Sequence, residues 1–273
     1  MELEFLGVRG LAATPDPEKL IYGGNSLSAV VTTRETPNRF FVLDAGTGLA
    51  RFGSRLQLGK QYHATVLLSQ IDLYTMIGFQ FTPFAFSEDC QTEIWGPHTP
   101  NFALESIFDH IMSPSYSPVY GIENLLADVV FKELEPTRLQ IDTITVTAVN
   151  FPKINRASNW GYRLENQHGA LGYIVDSAIQ GTNGKWLPQA MQVAAEADAL
   201  IIGAFAPDWQ RPNGLTYENA IALAKDAGVK RLFLTYHHPE MTDADLHELQ
   251  DQLTAAHPEL AIILAAEGMA LRI

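Results

Sequence analysis

Imidazoles, carboxylates and one thiol are the groups in this sequence best suited to chemistry, and their spacing excludes more than it proposes. The eight histidines are His63, His98, His110, His168, His237, His238, His247 and His257. No two share a metal-ligand spacing apart from the adjacent His237 and His238. Neighbours on a strand point to opposite faces, so at most one of that pair can serve a given site. His247 and His257 lie on or after the last helical stretch and read as solvated. His63, His98 and His110 have polar or proline-flanked contexts that suggest no shared task. The single cysteine, Cys90, excludes an intramolecular disulfide and a cysteine-based zinc cluster, and reads as a small half-buried thiol. No Gly-x-Ser-x-Gly turn and no Walker loop is present. Asp44-Ala45-Gly46-Thr47-Gly48 follows an apolar run and resembles a phosphate-cradling turn, but a lone Gly-x-Gly reads first as a tight strand-to-loop turn.

The elements that must position these groups are legible from hydrophobic patterning. The chain has 273 residues, 47% of them apolar, with 18 Lys+Arg against 31 Asp+Glu and a formal charge of −13. That length can bury a substantial core. The acidic balance argues against nucleic acid or an anionic membrane as partner, because phosphate contacts need clustered Lys and Arg. The opening MELEFLGVRG lacks a basic-then-apolar leader, and no apolar run approaches the ~20 residues of a spanning helix. A soluble, cytoplasmic protein is the expectation.

Strand-like runs cover Leu3–Gly7, Ser28–Thr32, Phe40–Leu43, Ala64–Leu68, Thr92–Trp95 and Leu139–Val149, and Asn101–Ile111 reads as a short amphipathic helix. Trp160–Glu165 and Ala170–Asp176 form a hairpin around Asn166-Gln167-His168-Gly169. From Leu187 the pattern alternates helix (Pro188–Ala197, Tyr217–Ala227, Asp243–His257) with strand (Ala199–Gly203, Arg231–Tyr236, Ala261–Ala265). Gly228 suits a helix C-terminus and Thr242 with Asp245 an N-terminus. The fold class expected is α+β, a four-layer αβ/βα sandwich of two mixed β-sheets flanked by helices, with residues 1–273 as one domain.

Several segments carry a resemblance in a fixed order: Gly7-Val8-Arg9-Gly10, Tyr22-Gly23-Gly24-Asn25-Ser26, Val42 to Gly48, Met112 to Val119, Phe131 to Leu134, Gly161 to Glu165, Ala224 to Leu232, His237-His238-Pro239 and Glu267-Gly268-Met269. The succession resembles the metallo-β-lactamase-fold superfamily, and within it is similar to the cyclic-nucleotide-phosphodiesterase-like and ribonuclease-Z-like branch. Active members hold two metal ions through a His-x-His-x-Asp-His motif, a later His, a bridging Asp and a final His. Neutral imidazoles and carboxylates suit zinc or manganese, and the metal pair generates hydroxide near neutral pH.

The resemblance places that motif between Leu67-Leu68 and Gly78-Phe79, where its ligand positions hold Gln70, Asp72, Tyr74 and Thr75. Phe151, ahead of Pro152, stands where the later His belongs; Asp176 and His237 keep the bridging Asp and final His. No His-x-His spacing exists elsewhere to recover the motif. Asp208 and Asn213-Gly214 also lack the histidine that related enzymes often place before the following helix. A tyrosine ligates only after deprotonation from a pKa of about 10, and a glutamine amide is a weak neutral donor.

The expectation is therefore a remnant cleft of Gln70, Asp72, Tyr74, Thr75, Phe151, Asp176 and His237 with no metal, in which Asp176 hydrogen-bonds His237 and Phe151 and Tyr74 fill the space. The resulting function is non-catalytic, acting by binding or assembly toward a protein partner or small-molecule ligand, with homodimer formation left open. Candidate surfaces are Phe79–Phe86 and the loop Met112–Tyr120. The alternative is a divergent metal-dependent phosphodiesterase or esterase in which Asp72, Asp176 and His237 hold one Zn, Mn or Fe ion. A third option is a small-molecule sensor reading its ligand through Gln70, Asp72 and Tyr74.

Overall fold

Alternating apolar residues along the strands bury both faces of each sheet, which forces a layered architecture. The computed structural model describes residues 1–57, 59–115, 117, 121–152, 159–204 and 215–273. Asp208, Asn213-Gly214 and residues 116 and 118–120 of the proposed surface loop lie outside the described residues.

The first sheet comprises β1 (Glu2–Gly7), β2 (Ser28–Thr32), β3 (Arg39–Leu43), β4 (Tyr62–Leu67), β5 (Cys90–Gly96), β6 (Asp128–Glu133) and the C-terminal β14 (Ala270–Arg272), in the order β14-β1-β2-β3-β4-β5-β6. The second comprises β7 (Thr137–Ile141), β8 (Ile144–Phe151), β9 (Asn159–Asn166), β10 (Gly169–Val175), β11 (Ala199–Gly203), β12 (Arg231–Thr235) and β13 (Ala261–Leu264), ordered β13-β12-β11-β10-β9-β8-β7. Each sheet is half antiparallel and half parallel. The parallel blocks are β3-β4-β5-β6 and β10-β11-β12-β13. Helices α1 (Leu49–Phe52), α2 (Leu73–Met76), α3 (Pro83–Phe86) and α4 (Leu104–Ile111) belong to the first half of the chain. Helices α5 (Pro188–Ala194), α6 (Tyr217–Asp226) and α7 (Asp243–Ala256) belong to the second.

Strand β3 shows how the layers arise. Phe41 and Leu43 enter the central core between the sheets, together with Phe5, Tyr162, Tyr173 and Phe233. Phe40 and Val42, on the opposite face, join Phe52, Phe84 and Phe108 beneath the outer helices. A third apolar cluster lies between the second sheet and α5, α6 and α7. Burial on both faces is what parallel strands covered by helices require. The expected sandwich of two mixed sheets is the architecture observed.

Local differences from the sequence reading have physical causes. The expected single strand Leu139–Val149 is two strands, β7 and β8, because Asp142 adopts a left-handed φ of 50° and turns the chain. Strands β6 and β14 were not read from the sequence. The first is an exposed edge and the second spans three residues, so neither shows a buried alternation. Cys90 is 1% exposed rather than half-buried, and burial pushes its thiol pKa up. The Phe79–Phe86 segment is mostly core: Phe79 and Phe84 are fully buried, while Phe81 is exposed. At α7, Thr242 and Asp245 form a reciprocal capping box. Among the described residues, no helix is long and apolar enough to cross a membrane.

Candidate functional site

The C-terminal ends of parallel strands are where side chains from separate elements converge in open α/β sheets. Here β3, β10 and β12 each end in a residue with left-handed backbone: Asp44 (φ 56°), Asp176 (φ 42°) and Tyr236 (φ 72°). Non-glycine residues seldom adopt this region, and a tyrosine does so least readily of the three. Such strain persists only where the surroundings enforce it, and it clusters at functional sites.

Asp44 anchors one wall. It is fully buried and accepts the Ser69 backbone N–H at 2.7 Å, the Ser69 hydroxyl at 2.7 Å and the Tyr173 hydroxyl at 2.6 Å. Burial raises its carboxyl from 3.8 to about 7, against the lowering effect of these hydrogen bonds. The turn after it is packed too tightly to cradle a ligand. A Cβ on Gly46 would lie 2.4 Å from the Leu27 carbonyl, and one on Gly48 would lie 2.3 Å from the Leu6 carbonyl. The tight-turn reading of Asp44–Gly48 therefore holds.

Beyond Ser69, the chain brings several predicted site residues together. Gln70 is fully buried, and its side-chain Nε2 donates to the Tyr74 hydroxyl, which in turn hydrogen-bonds the Tyr236 hydroxyl at 2.5 Å. The Tyr74 and Tyr236 rings lie 5.7 Å apart, tilted by 52°. Burial pushes the Tyr74 hydroxyl far above its ordinary pKa, and the neighbouring Tyr236, Asp72 and Asp176 raise it further, so Tyr74 is a neutral phenol. Thr75 is buried, with its hydroxyl donating to the carbonyls of Gln70 (3.0 Å) and Asp72 (2.9 Å). Asn159, at the start of β9, donates from Nδ2 to the Asp176 carbonyl at 2.5 Å. The next residue, Trp160, bonds the Ser69 carbonyl through its backbone N–H at 2.7 Å. Asp72, Tyr74 and Asp176 are only half-buried, so this side of the cluster meets solvent.

Two predicted site residues stand elsewhere. Phe151 belongs to the cluster between the second sheet and its helices, where a Cβ on Gly161 would lie 2.5 Å from its ring. Strand alternation turns it with Val149 away from the inward-facing Ala148. The expected Asp176–His237 hydrogen bond is not made. His237 Nε2 donates to the Ala265 carbonyl at 2.8 Å, its Nδ1 has no partner, and its ring packs edge-on against Tyr22 at 5.9 Å. Burial lowers its pKa from 6.5 to about 4, despite the opposing Ala265 bond. The cause is the end of β12: the left-handed turn at Tyr236 delivers the tyrosine, not the histidine, to the cluster. Buried Arg9 pins the following segment by donating to the carbonyls of His238 (3.2 Å) and Met241 (2.7 Å), and to Gly23 at 2.7 Å.

The site residues missed in the sequence are Ser69, Tyr173, Asn159 and Tyr236, with Asp44 read only as part of a turn. A positional signal existed for two of them, since Asp44 and Tyr236 follow strands of the parallel blocks.

The donor set does not fit the two-metal centre that the resemblance implies. Its phenol and threonine hydroxyl are hydrogen-bonded to protein partners, its Phe151 position has no donor and faces another layer, and its amide is a weak ligand. Among the described residues, no three His, Cys, Asp or Glu side chains gather in a way that could hold a metal ion. Asp72, Asp176 and His237 thus do not assemble as a ligand trio.

No protein-family model matches the chain, and no curated protein sequence does. Solved structures do match. A diphosphatase of the PhnP family aligns over 100% of this chain and 97% of its own, with TM-score 0.71 and 16% identity. The short form of human tRNase Z aligns over 100% and 99%, with TM-score 0.66 and 19% identity. The metallo-β-lactamase-fold protein YhfI from Bacillus subtilis aligns over 99% and 98%, with TM-score 0.65 and 15% identity. At these identities the likeness is one of architecture, and with the two seven-stranded sheets above it shows that the chain has the metallo-β-lactamase fold.

Proposed function

We propose that the protein is a non-catalytic member of the metallo-β-lactamase-fold hydrolases, with its former metal site converted into a binding cleft. The observation that supports this most is the hydrogen-bonded series Gln70–Tyr74–Tyr236, which joins two of the four motif positions through neutral groups. Removing one partner outside a metal's coordination sphere typically weakens affinity about 10–100-fold. Replacing most of two ligand sets costs far more. No transition-metal cofactor is expected, and the cleft serves a small-molecule ligand or a protein partner. The same reading takes residues 1–273 as one domain and places the protein in the cytoplasm.

A second reading, a divergent hydrolase with a rebuilt site, draws support from the strained backbone at Asp44, Asp176 and Tyr236 and from neighbours named as a diphosphatase and a tRNase. Hydrolysis of bis(p-nitrophenyl) phosphate and p-nitrophenyl acetate with added Zn²⁺ or Mn²⁺ separates the two. The non-catalytic reading expects rates equal to the metal-only blank. Turnover that Asp176→Asn abolishes would overturn it.

A further inference from the structure

The outermost strands of a sheet carry a row of N–H and C=O groups that need a partner or a cover. At the β13 edge of the second sheet the cover is present. Gln250 of α7 donates to the Ile262 carbonyl at 2.9 Å and accepts the Leu264 N–H at 2.7 Å. The β6 edge of the first sheet (Asp128–Glu133) has no such plug among the described residues. Leu134 N–H bonds the Gly96 carbonyl of β5 at 3.0 Å. By strand alternation Asp128, Val130 and Lys132 also turn their main-chain groups to β5, and Val129, Phe131 and Glu133 turn theirs outward. Among the described residues, no partner meets these outward groups. The side chains show the same openness on one face only. Val130 is 46% exposed, whereas Val129 and Phe131 pack on the outer core, with the Phe131 ring 5.2 Å from that of Phe108.

We propose that β6 pairs antiparallel with β6 of a second copy, about a two-fold axis at Val130, so that the two first sheets join edge to edge. Opposed residues must share a face, so such a two-fold can centre only on a residue and not between two. Centred on Val129, Asp128 would face Val130 of the second copy. Centred on Phe131, Val130 would face Lys132 and Val129 would face Glu133. Both registers set charge against apolar side chains. Centred on Val130, Asp128 faces Lys132 on each side of the axis, Val129 faces Phe131, and Val130 faces its own counterpart. Opposite charges and aromatic–β-branched pairs are the cross-strand combinations that stabilise a sheet. In this register Val129 and Phe131 exchange both main-chain hydrogen bonds with each other's counterparts, which satisfies their outward groups. Lys132 is held at the edge by Glu93 at 2.7 Å and by the Trp95 ring at 5.5 Å, and an ammonium with three donors keeps capacity for Asp128. Asp128 is exposed and carries no ion pair among the described residues. The axis makes the contact self-complementary and closed, so assembly stops at two copies.

The test is analytical ultracentrifugation of the full chain over a range of concentrations, with charge and cysteine variants to fix the register. A single strand edge is a small interface, so wild type is expected to pass from monomer to dimer with a dissociation constant on the order of 10 µM. A chain that stays monomeric up to about 300 µM would overturn the proposal without recourse to any variant. Asp128→Lys and Lys132→Glu each set like charges opposite one another on both sides of the axis, and each should weaken the dimer at least about tenfold. An equimolar mixture of the two should dimerise again, because every such pair then joins opposite charges. Val130→Cys should give a disulfide-linked dimer under mild oxidation, since directly opposed non-hydrogen-bonded residues lie about 4.5 Å apart at Cα, within bridging range. Asp128→Cys should not, because its counterpart sits four residues along the paired strand, about 13 Å away. The native Cys90 is 1% exposed and does not compete. A wild-type dimer that neither charge variant weakens, or that Val130→Cys fails to link, would place the contact elsewhere and overturn the proposal.

Discussion

Asp44 and His237 are buried groups whose titrations pull stability in opposite directions, and substituting either one exposes the other. Burial raises the Asp44 carboxyl from 3.8 to about 7. Between those values the native state holds a proton that the unfolded chain has lost, so stability falls as pH rises, by ~1.4 kcal/mol per pH unit. Its contribution is fully present below pH 3.8 and gone above about 7, a total of ~4 kcal/mol. His237 is lowered from 6.5 to about 4. In that window the unfolded chain holds the extra proton, so stability rises with pH, by ~3 kcal/mol in all. The two slopes nearly cancel between about pH 4 and 6.5. Urea unfolding of wild type, Asp44→Asn and His237→Gln at half-unit pH steps separates them, because differences between curves cancel all other groups. Relative to wild type, Asp44→Asn should gain ~4 kcal/mol from pH 4 to 7, and His237→Gln should lose ~3 kcal/mol from pH 4 to 6.5. A difference curve flat to within ~1 kcal/mol for Asp44→Asn would refute the assignment of a buried carboxyl whose proton is held up to about pH 7.

Two further substitutions probe the packing of the cleft. Tyr74→Phe removes the hydroxyl that Gln70 Nε2 donates to and leaves that buried donor unpartnered, so denaturant unfolding should show a loss of ~1–3 kcal/mol; a loss below ~0.5 kcal/mol would mean the bond contributes nothing. Gly78→Ala places a methyl 1.8 Å from the Gly46 carbonyl oxygen. Because backbone must move to admit it, the cost should reach or exceed the upper end of the ~1–3 kcal/mol typical of overpacking, read as a fall in melting temperature.

The layers were legible in the sequence because both faces of strands such as β3 are apolar, a pattern that only a covered sheet accounts for. The mismatch with the motif that the resemblance implies was legible for the same local reason: residue types at Gln70, Tyr74 and Thr75 are visible without geometry. How those side chains are partnered was not. Tyr236 reaches the cluster only through a left-handed turn at the end of β12, and sequence alternation cannot forecast a strained φ at a tyrosine. The Asp176–His237 pairing failed at the same place, since that turn leaves His237 bonded to Ala265. Asn159 shows no periodicity that marks it, and its role depends on a contact with the backbone of Asp176, seventeen positions along the chain.

The claim that the metal site has been converted into a hydrogen-bonded cleft is tested most directly by the metal content of the protein itself. Elemental analysis of chain purified without chelator and without a metal-affinity step should find Zn, Mn and Fe well below one per chain, and added Zn²⁺ or Mn²⁺ should leave the melting temperature unchanged. One or more transition-metal ions per chain, retained through dialysis and released by Asp176→Asn, would contradict the account.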